Sequence, residues 1–414
     1  MSDAAYDAFA ARVVDGGLLL DPWLAGRPRL RDAPVFVTRA DADEMARVAE
    51  GVAALHQELA ALCEREPDLR RDFLGLSPYQ ELLWQAEGPR WHAVARADVF
   101  RTDRGLQITE LNSDTPTGSP EAVALNSLAR EAHPATIDPS SELEARVMDA
   151  FEAVARARLA PGSPRVAGIV YPTELTEDLS LVRLYRRWLL RRGWRVVLGA
   201  PANLSRAPGD HVTLFGEPVS LLVRHYKTDW WTERESAWTD VRIPSAAPLV
   251  EPVTAMVRAV VAGNVAVVNP LGAVVTQNKR LLALAWERRG ELSGPARAVL
   301  DRHVPESARL EAMEPARLEA EQRGWVLKSD YGAEGDEVIV GAAVTDAVWR
   351  ATLRAARPRR WIAQRYFHAE AYDDGGVVNY GVFVAGGRAS GMYARVQRGP
   401  TDLEAVSAPL LVTP

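Results

Sequence analysis

Asp98, Glu110 and Asn112 are the residues of this sequence whose types and spacing best fit joint chemistry. They lie in "RADVFRTDRGLQITELNSDTPTG" (96–118). Two alternating stretches there, 89–100 and 105–112, read as strands joined by a three-residue connection, Asp103-Arg104-Gly105. With Arg104 at the centre of that loop, Asp98 faces Glu110 and Arg96 faces Asn112. All four point to one side, because residues i and i+2 of a strand share a face. Carboxylates opposed across a hairpin repel each other, and a cation between them removes the repulsion. Two carboxylates and an amide oxygen, with no His or Cys nearby, make a hard oxygen site suited to Mg²⁺. Arg96 beside them is placed to hold an anion that the metal also touches. The competing reading is an exposed polar face with cross-strand ion pairs.

Lysine usage supplies a second signal. Of 49 basic residues only three are lysines, Lys227, Lys279 and Lys328; the rest are arginines. A lysine kept in such a chain marks a place where a compact ammonium cannot be exchanged for a planar fork. Lys328 ends an apolar strand in "WVLKSDYGAEGDEV" (325–338) and precedes a loop with Gly332 and Gly335. A Gly-rich loop between strands can lay backbone N–H groups over phosphate oxygens while the lysine neutralises them. It is not a Walker A loop, which leads into a helix; an ordinary hairpin with a long turn is the alternative. Lys279 falls in the first turn of a helix over 276–290, where an anion is favoured, or it is a solvated surface lysine. Lys227 and Arg224 precede an aromatic-rich segment and are candidates for a substrate site. Metal site, lysines and Gly loop together describe ATP held between two sheets with its phosphates bridged by Mg²⁺.

The elements that must position these residues follow from periodicity. Helices are expected over 3–14, 41–66, 119–131 (Ser119 as N-cap, Pro120 next), 140–158 and 176–192. Strands are expected over 165–172, 194–200, 211–216, 220–227, 264–270, 324–341 (around the Gly loop), 360–372 and 377–396, the last as a hairpin about Gly386-Gly387. The strand, helix, strand order beyond "APGSP" (160–164) reads as a small Rossmann-like α/β unit without the G-x-G-x-x-G of a dinucleotide site. At 414 residues the chain has room for two or three domains. Its net charge of −6 argues against nucleic acid. No apolar run approaches the ~18 residues of a membrane span. The N-terminal stretch lacks the basic start of a secretory signal, and Cys63 is alone, so no internal disulfide is possible. A cytoplasmic protein with no membrane partner is expected; the oligomeric state is unreadable.

The order and spacing resemble the synthetase part of the glutathionylspermidine synthase family, ATP-grasp carboxylate–amine ligases. The likeness runs from about residue 90 to 400. The 96–118 segment is similar to that family's R-x-D and E-x-N-A-D pair, including the twelve-residue step from Asp98 to Glu110. "LLVRHYKTDWW", "VEP" and "QNKRLLALAWE" look like its aromatic segment, E-P and N-K-x-x-L-x-x-x-W helix. "WVLKSDYGAEGDEV" resembles its K-P-x-x-G-R-E-G loop, "IAQRYF" its Q-E hinge, and "GVFVAGGRASGMYARV" its closing strands. The lid departs at Ala333, where the family has Arg, and the hinge at Arg365, where it has Glu. The resemblance implies an α/β (α+β) ATP-grasp fold with a Rossmann-like pre-ATP-grasp domain. The division would be 1–160 with 360–414 as the core carrying the metal site, 161–270 as the Rossmann-like substrate domain, and 271–359 as the lid and nucleotide part.

It further implies Mg²⁺ on Asp98, Glu110 and Asn112, ATP phosphates on Lys279 and Lys328, and a lid loop spanning Gly332 and Gly335. Gln364 would meet adenine. Arg96 and Arg395 would face the γ-phosphate and the reacting carboxyl, and the turn Thr115–Gly118, with Thr115 and Thr117, would hold the acid substrate. The implied reaction joins a small-molecule acid to an amine through an acyl phosphate. A small-molecule kinase and a catalytically silent nucleotide binder are the other readings.

Overall fold

A computed structural model describes residues 3–24, 26–233, 249–332, 337–356, 360–372, 375–399 and 405–414. Three sheets position the site. The first has five antiparallel strands in the order Val406–Ala408, Arg388–Gln397, Val377–Ala385, Val94–Thr102, Gly105–Asn112. Helix Arg39–Arg65 lies against it with an apolar stripe that includes Met45, Val52, Leu55 and Leu59, all fully buried. Each such leucine contributes about 2 kcal/mol of transfer free energy. That helix starts where it does because Thr38 and Asp41 form a capping box, each side chain accepting from the other's backbone N–H (3.1 and 3.2 Å).

The second sheet is the expected Rossmann-like unit. Strands Ala266–Val268, Leu221–Arg224, Val166–Val170 and Arg195–Gly199 lie in that order, all parallel. Helix Leu179–Arg191 makes the crossover between the last two. Continuous apolar runs suit these strands, because a parallel sheet is covered on both faces. His211–Leu214, expected to join them, instead pairs antiparallel in a small sheet with Leu204–Ala207 and Glu217–Pro218.

The third sheet is antiparallel, in the order Ser307–Arg309, Trp361–Arg365, Trp325–Ser329, Val338–Val340. Its second strand lies just beyond the expected boundary at residue 360. Trp361–Arg365 pairs with Trp325–Ser329, so this unit runs to 365 before the chain returns to the first sheet. The reason is burial: Ile362 and Ala363 are fully enclosed here.

The first hairpin differs instructively from expectation. Its loop has two residues, Asp103 and Arg104, with Thr102 opposite Gly105. That register alone would set Asp98 one residue out of step. A bulge at Thr109 inserts the missing residue, so Asp98 still faces Glu110 and Arg96 still faces Asn112. The strand begins at Val94, not 89, because Trp91 and His92 stack on each other (3.8 Å between ring centroids) instead of extending. At the 119 helix, Ser119 is the first helical residue and Gly118 the N-cap, with φ 93°. No other residue fits at 118, since a Cβ there would lie 2.4 Å from the Tyr393 ring. Among the described residues no helix is long and apolar enough to cross a membrane.

Candidate active site

Asp98 is held by two guanidinium groups. Arg96 donates to both of its oxygens, from Nε at 2.7 Å and Nη2 at 3.1 Å. Arg395 Nη2 adds a third bond at 2.7 Å. The sheet register explains the convergence: Gly381 lies opposite Asp98, and Asn379 opposite Arg395. A Cβ at 381 would come within 2.2 Å of Tyr393 and 3.1 Å of Arg96, so glycine makes the room in which the guanidinium sits. Burial works against the Asp98 charge, but Arg96 and Arg395 outweigh it and hold the carboxyl down at about 2. Asn379 Nδ2 is 3.5 Å from Asp98, while its Oδ1 is buried without a partner.

Glu110 faces the other way, toward the lysines. Its Oε2 is 3.4 Å from Lys279 Nζ, and Asn112 Nδ2 donates to its Oε1 at 3.2 Å. Burial raises the Glu110 carboxyl and the Asp98 charge adds to that, but Lys279 and Lys328 leave it below its ordinary value. Lys279 is the N-cap residue of helix Arg280–Glu287, and its ammonium also donates to the Gly332 carbonyl. Lys328 donates to Thr109 O (3.2 Å), the bulge residue of the hairpin, and to Gln364 Oε1 (2.8 Å). Burial pushes Lys328 down to about 8, and Glu110 offsets this only in part. Lys227 donates to Tyr331 O at 3.0 Å. All three lysines of the chain therefore meet the hairpin or the 331–332 backbone.

Most of the residues singled out from the sequence come together here: Arg96, Asp98, Glu110, Asn112, Lys279, Lys328, Gly332, Gln364 and Arg395. Gly335 lies outside the described residues. Thr117 is tied in by its carbonyl, which accepts from Arg96 Nη1 at 2.9 Å. Arg224 is different. Its side chain is fully buried, 2.6 Å from Asp114, and also donates to Tyr226 O, Thr228 Oγ1 and Asn269 O. It braces the turn behind the site and borders the same small cavity as Thr115. Thr115 lines a cavity of about 20 Å³ beside it, room for about one water.

Several site residues were missed. Asp114 is 2 % exposed and anchors the turn, accepting from Thr228 N and Oγ1 at 2.6 Å each. Gln277 Oε1 accepts from Ser113 N and Asp114 N (2.8 and 3.0 Å). Asn269 links both ends of the hairpin, bonding Ala93 N, Val94 N and the Ser113 and Asp114 carbonyls. Asp114 stood in the quoted segment and Gln277 beside Lys279, so their neighbours could have flagged them. Asn269 and Asn379 carried no such signal.

Whether these residues suit Mg²⁺ is decided by donor chemistry. Among the described residues no three His, Cys, Asp or Glu gather as a metal cage. Mg²⁺ does not need one; it takes one or two carboxylates and keeps waters and substrate phosphates. Asp98, Glu110, the Asn112 carbonyl oxygen and the unpartnered Asn379 Oδ1 are all hard oxygen donors, and they fit.

The sequence profile described as glutathionylspermidine synthase preATP-grasp matches residues 25–403. The chain belongs to the glutathionylspermidine synthase family. That membership supports a carboxylate–amine ligase kind of function. Among solved structures the chain is similar to a glutathione synthetase-like effector from Globodera pallida in its apo form. The TM-score is 0.60 at 11 % identity, over 98 % of this chain and 95 % of that one, a likeness of fold. It also resembles a protein provisionally assigned as a gamma-glutamylcysteine synthetase from Methylobacillus flagellatus, with a TM-score of 0.47 and 14 % identity over 86 % of each chain. A search of curated proteins finds no match.

Proposed function

We propose that this family member is an ATP-dependent ligase that joins the carboxylate of a peptide or amino acid to an amine through an acyl phosphate, releasing ADP and phosphate. One observation carries the reading. The acid-bearing hairpin and the loop-bearing sheet are stitched together by ammonium groups, Lys279 at 3.4 Å from Glu110 and Lys328 at 3.2 Å from Thr109 O. Charges of opposite sign thus meet along this seam, where phosphates and a divalent ion would balance each other.

ATP is the first substrate. Lys279 and Lys328 bind its phosphates, each giving up a carbonyl or amide contact for a phosphate oxygen, which holds an ammonium more strongly. Asp98, Glu110 and Asn112, with Asn379, would hold Mg²⁺, which neutralises charge on the transferring phosphoryl group. Arg96 and Arg395 present planar forks suited to a phosphoryl group and a carboxylate. Arg96 already grips the 115–118 turn at Thr117, which supports an acid held by that turn reacting at the same guanidinium that meets the phosphoryl group. The carboxylate oxygen attacks the γ-phosphorus in line and ADP departs. The amine then attacks the acyl carbon and phosphate leaves.

The test is the nucleotide product, read by chromatography. Protein with Mg²⁺-ATP is offered glutathione, short peptides and amino acids, crossed with polyamines and amino acids. ADP and phosphate that appear only when one acid and one amine are both present support the ligase. AMP with pyrophosphate overturns the acyl-phosphate route. A phosphorylated acid released without amide marks a kinase, and ATP bound without turnover against any pair marks a silent binder.

A further inference from the structure

Five acids lie around the site, and in four of them each carboxylate oxygen has a hydrogen-bond donor or an ion-pair partner. Asp98 has Arg96 and Arg395; Glu110 has Lys279 and Asn112; Asp114 has Arg224 and Thr228; Asp330 has Arg360 at 2.5 Å. Asp229 is the exception. Its Oδ2 lies 3.3 Å from Lys227 Nζ, but its Oδ1 is buried with no hydrogen-bond partner. Native proteins keep few such atoms, and each one calls for an explanation.

The position supplies one. The ammonium that holds Asp229 Oδ2 also donates to Tyr331 O, and the next carbonyl, Gly332 O, takes Lys279, which reaches Glu110. Asp229 therefore stands across the lysine row from the hairpin, one ammonium away from the phosphate-binding loop. Trp230, whose ring lies 5.1 Å from Lys227 Nζ, gives this corner an apolar wall. An amine reaches an acyl phosphate as an ammonium at neutral pH and cannot attack until it loses a proton. The acceptor must be anionic, free of a competing donor, and outside the cation cluster that holds phosphate. We infer that Asp229 receives the amine substrate: Oδ1 accepts a primary alkylammonium and takes one proton from it, while Lys227 fixes the other oxygen. This rests on the ligase reading. The freed lone pair then forms the C–N bond, the C–O bond to phosphate breaks, and the second amine proton leaves with the phosphate. Asp229 returns its proton to solvent. Burial and the nearby Asp114 charge raise the Asp229 carboxyl, against the pull of Lys227, which makes it a better base than an exposed aspartate.

The experiment uses Asp229→Asn in the full chain, with the acid and amine that turn over fastest and with hydroxylamine in place of the amine. Hydroxylamine is mostly unprotonated at neutral pH and needs no base. The variant should make hydroxamate within a few fold of wild type but lose amide formation by about 10²-fold or more. Asp229→Glu should recover part of the amide rate. The acidic limb of kcat/KM for the amine, set by Asp229 under the influence of Lys227, Asp114 and the Arg224 behind it, should vanish in Asp229→Asn. Amide formation at the wild-type rate overturns the inference. So does equal loss of hydroxamate and amide, which would make Asp229 a support of the fold. If wild type forms no amide with any pair, the ligase reading fails first and this inference falls with it.

Discussion

Arg96 and Arg395 grip Asp98 with their guanidinium groups, while Lys279 and Lys328 meet the hairpin and Lys227 the Tyr331 carbonyl, through contacts to carbonyls, an amide and carboxylates. The two clusters differ in what they can release. A guanidinium bonded to both oxygens of one carboxylate is fixed in plane as well as in place. An ammonium on a carbonyl is held by a weak acceptor and can trade it for a phosphate oxygen without reorienting a plane. The two arginines are therefore held in a fixed plane around Asp98, whereas the lysines can exchange partners. Under the proposed function, this division accounts for the lysines that remain in a chain that otherwise uses arginine almost throughout.

Four changes would break or sharpen that contrast. Glu110→Gln removes the charge shared by Lys279 and Lys328 and a metal donor, so ADP release should fall about 10³-fold; near-normal turnover would sink the metal assignment. Arg96→Lys conserves charge but loses the fork on Asp98 and the bond to Thr117, and kcat should drop about 10²-fold. Lys328→Arg is the mirror test. The pocket between Gln364 and Thr109 leaves Lys328 only 5 % exposed, and a larger head group there costs about 1–3 kcal/mol of overpacking. Weaker ATP binding by titration calorimetry is expected, and unchanged affinity would mean lysine was kept here for no functional reason. Arg365→Ala should matter least. Arg365 is partly exposed, 3.0 Å from Glu321 and stacked over Trp325, so urea midpoints should register about 1 kcal/mol or less.

The lysine cluster also predicts a pH dependence. In the folded chain Lys328 loses its proton near pH 8, whereas unfolded it keeps it to its ordinary 10.5. Between those values the unfolded chain binds more protons, so stability should rise with pH across that window. Phosphate binding needs the ammonium, so nucleotide affinity should fall as pH passes about 8. Affinity that stays flat across this window would show that the charge on Lys328 does not hold nucleotide.

The hairpin shows how far a sequence can be read. Alternation gave the faces, and the pairing of Asp98 with Glu110 is correct. The route to it was not, because a two-residue loop and a bulge at Thr109 together mimic a three-residue loop. Local turn geometry is decided by energies too small to read from residue types, and a compensating bulge leaves no trace in a period-two pattern. Arg224 is a different case. Type and neighbourhood made it a substrate candidate, but the parallel sheet buries it against Asp114, more than a hundred residues away in the chain.

By itself the sequence determined the kinds of element, the hard-oxygen face of 96–112, and the three places where an arginine-rich chain keeps lysine. These follow from periodicity and residue chemistry, which are local. Tertiary structure alone decided which charges would be spent on each other. It paired Asp114 with Arg224, held Lys227 and Lys279 on adjacent carbonyls, and left Asp229 Oδ1 and Asn379 Oδ1 without donors. The physical reason is that a buried charge takes its meaning from the nearest opposite charge, and that neighbour is set by how sheets pack, not by distance along the chain.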